Sequence, residues 1–173
     1  MTANTTRLTA TFFARDTVMV ARELVGKTLV RVFPEGHVRR YRITETEAYC
    51  GADDLACHAS KGRTPRTEVM FGAGGRIYVY LIYGMYWMLN VVTGPEEEPS
   101  AVLIRGLAGF DGPGRVGREL RLERSFYGED LETSPRLRIE DAPAGKHIVA
   151  APRIGIGYAG EPWTSMNWRF REA

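Results

Sequence analysis

Cysteine is scarce, with only Cys50 and Cys57 in a chain of 173 residues. A secreted disulfide scaffold usually carries more, so the core has to hold the fold. Histidine is limited to His37, His58 and His147. Structural zinc sites use four ligands in short, paired spacings. The adjacent Cys57-His58 near Cys50 does not complete such a set, and no metal or other cofactor is expected. Lysine occurs only at Lys27, Lys61 and Lys146, so arginine supplies most of the 23 basic side chains. A net charge of +2 excludes little and argues only weakly for a polyanionic partner. The longest apolar run, residues 77–92, approaches the ~20 residues a spanning helix needs. It is rich in Tyr and Val, is interrupted by Gly84 and carries Asn90, so it reads as a hairpin and no membrane association is expected. Residues 1–14 lack the long apolar stretch of a signal peptide, and a cytoplasmic location is expected.

Hydrophobic residues make up 44% of the chain and charged residues 25%, enough for a real core under an ordinary surface. The length fits one domain, 1–173, by the usual range of about 100–200 residues. Residues 1–11 are polar and threonine-rich and read as a loose tail. Asp16 can cap a helix to Leu24, with Val18, Val20, Ala21, Leu24 and Val25 on one face and Gly26 ending it. Strands are expected over 27–33 and 39–49, joined by the turn Pro34-Glu35-Gly36. Residues 51–66 read as a long loop with one helical turn. Strands follow at 76–81, 86–93 and 101–107, then a helix over 115–124 behind Gly112-Pro113-Gly114. Residues 127–147 read as polar and irregular with short extended pieces, and 152–158 as a last strand before a loop carrying Trp163, Trp168 and Phe170. Mostly antiparallel strands with a few helices make the class α+β.

Four features could carry chemistry. In a strand, Glu45, Glu47 and Tyr49 project from one face. Acids are poor strand formers, so this pair needs solvent, partners or a task; an edge strand with a solvated face and an acid–base pair both fit. Secondly, His58 in the long loop is a hydrogen-bonding or stacking group, or simply a loop residue. Thirdly, Tyr78 and Tyr80 share a face, opposite Ile77, Val79 and Leu81. Beyond them Tyr83-Gly84-Met85 falls where the chain reverses. Hairpin tips favour Asn, Asp or Gly. An aromatic tip is either covered by another segment or is an apolar wedge for stacked bases. Finally, basic residues surround these elements: Lys61, Arg63 and Arg66 in the loop, Arg105 in a strand, and Arg115, Arg118, Arg121 and Arg124 at helical spacing. Arginine's planar fork suits phosphates and base edges.

Taken together these stretches resemble the alkyladenine (methylpurine) DNA glycosylase family. The matching segments are Phe12-Phe13-Ala14-Arg15-Asp16, Leu24-Val25-Gly26-Lys27, Glu45-Thr46-Glu47-Ala48-Tyr49, His58, Thr64-Pro65-Arg66 and Tyr78-Val79-Tyr80. They continue through Tyr83-Gly84-Met85-Tyr86, Asn90, Leu103-Ile104-Arg105, Gly112-Pro113-Gly114, Asp130-Leu131 and Pro152-Arg153-Ile154-Gly155. They fall in family order over nearly the whole chain. The family's Gly-Pro-Gly-Lys-Leu stands here as Gly112-Pro113-Gly114-Arg115-Val116, which keeps the charge.

The resemblance implies a single domain with a curved antiparallel sheet and a protruding hairpin, acting as a monomer without metal on double-stranded DNA that contains damaged purines. It implies flipping of alkylated or deaminated purines (methyladenine, ethenoadenine, hypoxanthine) and hydrolysis of the bond to the sugar. Glu47 would be the general base, supported by Arg105. Tyr49, His58 and Tyr80 would line the base pocket, Asn90 would reject guanine, and Tyr83 would intercalate. Lys61, Arg63, Arg66 and Arg115 would meet the DNA backbone. No lysine falls in the central cluster, so a monofunctional hydrolase that leaves an abasic site is expected. A neutral leaving base would need protonation or strong hydrogen bonding, through the region of His58. Two other readings compete: a sugar hydrolase using Glu45 and Glu47 as an acid–base pair, and a protein that only binds distorted DNA.

Overall fold

The computed structural model describes residues 5–173. A single turn, α1 (Ala10–Phe13), leads into α2 (Thr17–Leu24), where Asp16 accepts the Met19 N–H at 3.0 Å and caps the first turn. Val20, Ala21 and Leu24 face inward, while Met19 is exposed. The loose tail expected over 1–11 is corrected from Arg7 onward. Arg7 donates to the Leu131 carbonyl at 2.6 and 2.8 Å and to the Ser134 carbonyl at 2.7 Å, and Leu8 is buried. Residues 1–4 of that segment lie outside the described residues.

Two strands follow, β1 (Thr28–Val32) and β2 (Val38–Cys50), then the hairpin of β3 (Ile77–Ile82) and β4 (Tyr86–Val92). β5 (Ser100–Leu107) turns back through β6 (Phe110–Asp111) into the helix α3 (Pro113–Glu119). Short strands β7 (Leu137–Glu140), β8 (Ile148–Ala151) and β9 (Arg169–Glu172) complete the chain. Among the described residues these nine strands form one sheet of order β3-β4-β5-β2-β1-β7, with β6 beside β5 and β9 bridging β2 and β8. Every pairing is antiparallel. The architecture is therefore α+β, with helices flanking one sheet.

The 13-residue β2 is the spine. Its first half pairs with β1, and its second half lies between β5 and β9. Strand alternation then divides the sheet into two faces. Ile77, Val79, Leu89, Val91, Val102, Ile104 and Ala48 enter the main core with Phe13, Val20 and Leu24. Thr46 on the same face donates its hydroxyl to the Ala21 carbonyl at 2.6 Å and ties α2 to the spine. The intervening residues point the other way and line the cavity described below.

Two expected elements differ. The helix expected over 115–124 spans only Pro113–Glu119, because Leu120 caps it and Arg121 takes φ 50°. The strand expected over 152–158 is instead an irregular segment ending in a 3₁₀ turn at Gly157–Ala159. Pro152 offers no ladder N–H, and Gly155 at φ 74° turns the chain away from the sheet. β9, read as loop from sequence, closes the edge in its place.

The glycines of α3 let it lie flush on β4. A Cβ on Gly114 would meet the Tyr86 ring at 3.1 Å, and one on Gly117 would sit 1.9 Å from the Trp87 carbonyl oxygen. Gly117→Ala is expected to destabilise the fold by at least about 2 kcal/mol, as for an overpacked site. Gly157→Ala, whose Cβ meets nothing within 4 Å, is the control and should stay within about 0.5 kcal/mol. Urea unfolding measures both; equal midpoints would contradict the close packing.

Candidate active site

The strand register places Tyr78, Asn90, Leu103 and Glu47 in one row across β3, β4, β5 and β2, with Arg169 of β9 next in line. Three strand spacings, about 14 Å, separate the two ends of the Tyr78–Glu47 row. This row is the floor of a cavity of about 460 Å³, walled by Tyr49, His58, Arg66, Tyr80, Arg105 and the segment around Ile154. The volume lies in the range of small-molecule pockets.

Glu47 is fully buried. Its Oε2 accepts the Ile154 backbone N–H at 2.7 Å. Its Oε1 is held more loosely, by the Tyr49 hydroxyl at 3.2 Å and Arg105 Nη1 at 3.4 Å. Burial pushes its proton affinity up, while the Ile154 N–H, Arg105 and the Tyr49 hydroxyl pull it back. Arg105 reaches the carboxylate through a bulge. Between the Glu45↔Gly106 and Thr46↔Ile104 pairs, β2 advances one residue and β5 two, leaving Arg105 as the extra residue. It also approaches Glu45 at 3.5 Å, and Arg169 holds that same acid at 2.9 Å. Glu45 is thus an ion-paired neighbour set back from the cavity.

The opposite wall is aromatic. His58 Nδ1 and the Tyr78 hydroxyl share a 2.9 Å hydrogen bond. The His58 ring meets Tyr80 edge-on at 4.6 Å, and Tyr80 tilts against Tyr78 at 5.4 Å. Burial, helped by the nearby Arg66 charge, drives the imidazole down to about 4, so His58 is neutral near pH 7. Near neutral pH His58 is therefore an uncharged group hydrogen-bonded to Tyr78 and packed on Tyr80. Burial raises Tyr80 to about 12 and the Cys57 thiol to about 12, so both keep their protons. Asn90 is buried, with its amide nitrogen 3.3 Å from the Tyr78 carbonyl.

The hairpin tip is uncovered. Tyr83 is 89% exposed and Met85 59%. Tyr83 and Gly84 both take left-handed conformations, φ 54° and 66°, so the tight reversal holds a bulky residue in an unfavourable region. The basic residues divide. Lys61 and Arg115 are exposed. Arg66 lies over the Tyr80 ring at 5.1 Å and belongs to the cavity wall. Arg63 is committed to Glu68 at 2.7 and 2.8 Å and to Glu97 at 2.8 Å, so its charge is largely neutralised.

Sequence reasoning missed four participants. Tyr78 was seen beside Tyr80 but not as the partner of His58. Tyr158, 70% exposed at the cavity mouth, donates its hydroxyl to the Ala56 carbonyl at 3.1 Å. Arg153 and Asp54 form an ion pair with both side chains fully buried. No periodicity could announce a pair so distant in sequence; the only hint was an Arg next to Pro152 and an Asp in a loop of turn formers.

A buried carboxylate facing an aromatic cavity, beside an exposed aromatic hairpin, is the equipment of an enzyme that draws a base out of DNA and cuts its sugar bond. Comparison with known proteins supports that class. The methylpurine-DNA glycosylase family model matches residues 11–173. Similar proteins come from Anaeromyxobacter dehalogenans (strain 2CP-C; 51% identical, covering 95% of this chain and 82% of the relative) and Methanocella arvoryzae (48%, covering 92% and 88%). A third, from Legionella pneumophila (strain Paris), is 45% identical and covers 95% and 93%. Each is provisionally named a 3-methyladenine DNA glycosylase. The chain is a DNA glycosylase, a hydrolase of DNA repair, and it belongs to the methylpurine-DNA glycosylase family.

His58 should remain neutral as pH falls to about 4. The unfolded chain takes up this proton near its ordinary pKa and the folded chain does not, so the site contributes stability above about pH 6.5 that is lost as pH falls toward the folded value. NMR titration of the His58 ring checks this; a midpoint above 6 would contradict the buried, neutral assignment.

Proposed function

We propose that this enzyme flips alkylated or deaminated purines, including methyladenine, ethenoadenine and hypoxanthine, from duplex DNA and hydrolyses the N-glycosidic bond in one step, leaving an abasic site. The carrying observation is the buried Glu47 carboxylate on the floor of an aromatic cavity, on the same sheet as the exposed Tyr83. In this reading Tyr83 fills the space the purine leaves, which offsets an extrusion cost of a few kcal/mol. Tyr49, Tyr80 and His58 hold the extruded base, with stacking worth about 1–3 kcal/mol per base. Asn90 sits at the pocket floor, where its amide would clash with a purine 2-amino group.

Hydrolysis builds oxocarbenium character on the sugar. Ionised Glu47 both stabilises that charge and takes a proton from the attacking water. Its Oε2 is committed to Ile154 at 2.7 Å, so the loosely held Oε1 is the oxygen left for water. The Ile154 N–H and Arg105 favour the ionised form of Glu47 against the burial that raises its pKa. No lysine lines the cavity among the described residues, which supports hydrolysis without a Schiff-base step. Lys61 and Arg115, with Arg118 and Arg124, are exposed cations with no ion pair among the described residues, and phosphate contacts from such groups would make binding salt-sensitive. We take the enzyme to act as a cytoplasmic monomer. An acid–base pair of Glu45 and Glu47 is disfavoured, because Glu45 is tied to Arg169 and Arg105 outside the cavity lining.

Chromatographic release of free base from duplexes carrying methyladenine, ethenoadenine or inosine tests the reading. Glu47→Gln is expected to bind lesion DNA yet lose about 10²–10⁴-fold in single-turnover excision; near-normal turnover would remove Glu47 as the base. Tyr83→Ser should weaken excision from duplex DNA by roughly tenfold while sparing single strands, where no stack has to be opened. An equal loss on both substrates would argue against a wedge.

A further inference from the structure

The Arg153–Asp54 pair sits one residue from the atom that holds Glu47. Arg153 Nη1 and Nη2 reach the two Asp54 oxygens at 2.6 and 3.0 Å, and Nη1 also donates to the Ala48 carbonyl at 3.0 Å. The guanidinium lies between the Tyr49 and Trp168 rings, at 5.0 and 4.9 Å. Asp54 further accepts the Cys50 and Ala56 N–H groups at 2.9 and 3.1 Å. Burying two charges is a poor route to stability, since apolar packing often does as well. The arrangement even leaves Arg153 Nε buried without a partner.

Its position relates it to Glu47. Residues 152–154 lie outside any strand and are pinned one after another. The Pro152 carbonyl accepts from Arg169 Nε at 2.8 Å, Arg153 locks to Asp54 and Ala48, and the Ile154 N–H reaches Glu47 at 2.7 Å. Gly155 then turns the chain away at φ 74°, and the Ile154 side chain is exposed, so it contributes little grip. Ala48 and Tyr49, which Arg153 also touches, directly follow Glu47 on β2.

We propose that the Arg153–Asp54 pair is a positioning device for Glu47. It holds segment 152–154 so that the Ile154 N–H stays on Oε2 and the carboxylate presents Oε1 to the cavity. The proposal rests on the reading of Glu47 as the base. The other charged or titratable groups near the carboxylate are Arg105 and Glu45 alongside it, Arg169 on β9, and Tyr49, Tyr80 and Tyr158 around the cavity. None of these is hydrogen-bonded to the pair itself, although Arg169 donates to the Pro152 carbonyl of the held segment.

The test is the pH dependence of single-turnover excision, with lesion-duplex binding and thermal unfolding measured alongside, in full-length Asp54→Asn and Arg153→Lys. Losing the Ile154 N–H makes Glu47 harder to ionise. The acid limb should therefore move up by about one pH unit, giving roughly tenfold slower excision below it and recovery as pH rises. Lesion binding in Asp54→Asn should stay within about twofold, because His58, Tyr78 and Tyr80 make no contact with the pair and Arg153 stays against Tyr49. Removing the Asp54 charge would by itself ease Glu47 ionisation and move the limb down, so an upward shift in Asp54→Asn identifies the lost N–H. Arg153→Lys keeps the buried charges balanced and carries the test if Asp54→Asn does not fold. A limb at the wild-type position, with rate unchanged or lowered equally at every pH, overturns the proposal. If the wild type releases no base, or Glu47→Gln stays active, the underlying reading of Glu47 fails instead.

Discussion

A carboxylate kept out of water and supplied with donors from three parts of the chain is the constraint around which this molecule is organised. Burial favours the protonated form of Glu47. Each neighbour that opposes this comes from a different part of the chain: Tyr49 from the same strand, Arg105 from β5, and the Ile154 N–H from the irregular segment after β8. A strand alone could not supply them. Its neighbours offer ladder hydrogen bonds to backbone, not donors to a side chain. The bulge at Arg105 and the departure of residues 152–156 from the sheet are the two irregularities that bring donors to the acid. Irregularities of this kind cost local stability, and proteins concentrate them at working sites.

The sheet performs two tasks through its alternation. One face is a conventional core with α2, and the other is the floor of a cavity. This explains residue choices that would otherwise look inconsistent within a single strand. In β3, Ile77 and Val79 are core while Tyr78 and Tyr80 face the cavity; in β5, Val102 and Ile104 are core while Leu103 and Arg105 face it. A one-residue slip in any of these strands would exchange core and site together. The register that stabilises the fold and the register that assembles the site are thus the same.

That coupling governs how much could be read in advance. The alternation of Glu45-Thr46-Glu47-Ala48-Tyr49 and of Ile77-Tyr78-Val79-Tyr80 was visible in the sequence because strand periodicity is local, and so was the Asp16 cap. Whether Tyr83 was covered was not readable, because covering is a tertiary matter; the fold leaves it bare. Residues 7–11 look like a tail only until the carbonyls of Leu131 and Ser134 are brought beside Arg7. The Arg153–Asp54 pair and β9 are hidden for the same reason. Arg63 shows the converse: a basic loop residue looks available for phosphate until Glu68 and Glu97 are found on either side of it. Charge counts along a sequence say nothing about neutralisation in space.

The hairpin links the exposed Tyr83 and the cavity wall mechanically. Tyr83 at its tip and Tyr80 in the cavity wall are three residues apart, roughly 10 Å at strand rise. Next to its turn the hairpin is packed by α3, whose Gly114 and Gly117 allow contact with Tyr86 and the Trp87 backbone too close for any side chain. The left-handed backbone at Tyr83 and Gly84 makes the reversal tight and leaves little slack in the loop. A flexible tip would lose much of its interaction energy to ordering on contact with DNA. A stiff one, set on the same two strands as the pocket wall, keeps the wedge and the receiving cavity at a fixed separation. On the proposed reading, a displaced nucleotide would meet the aromatic wall and the row ending at Glu47 without a further rearrangement of the protein.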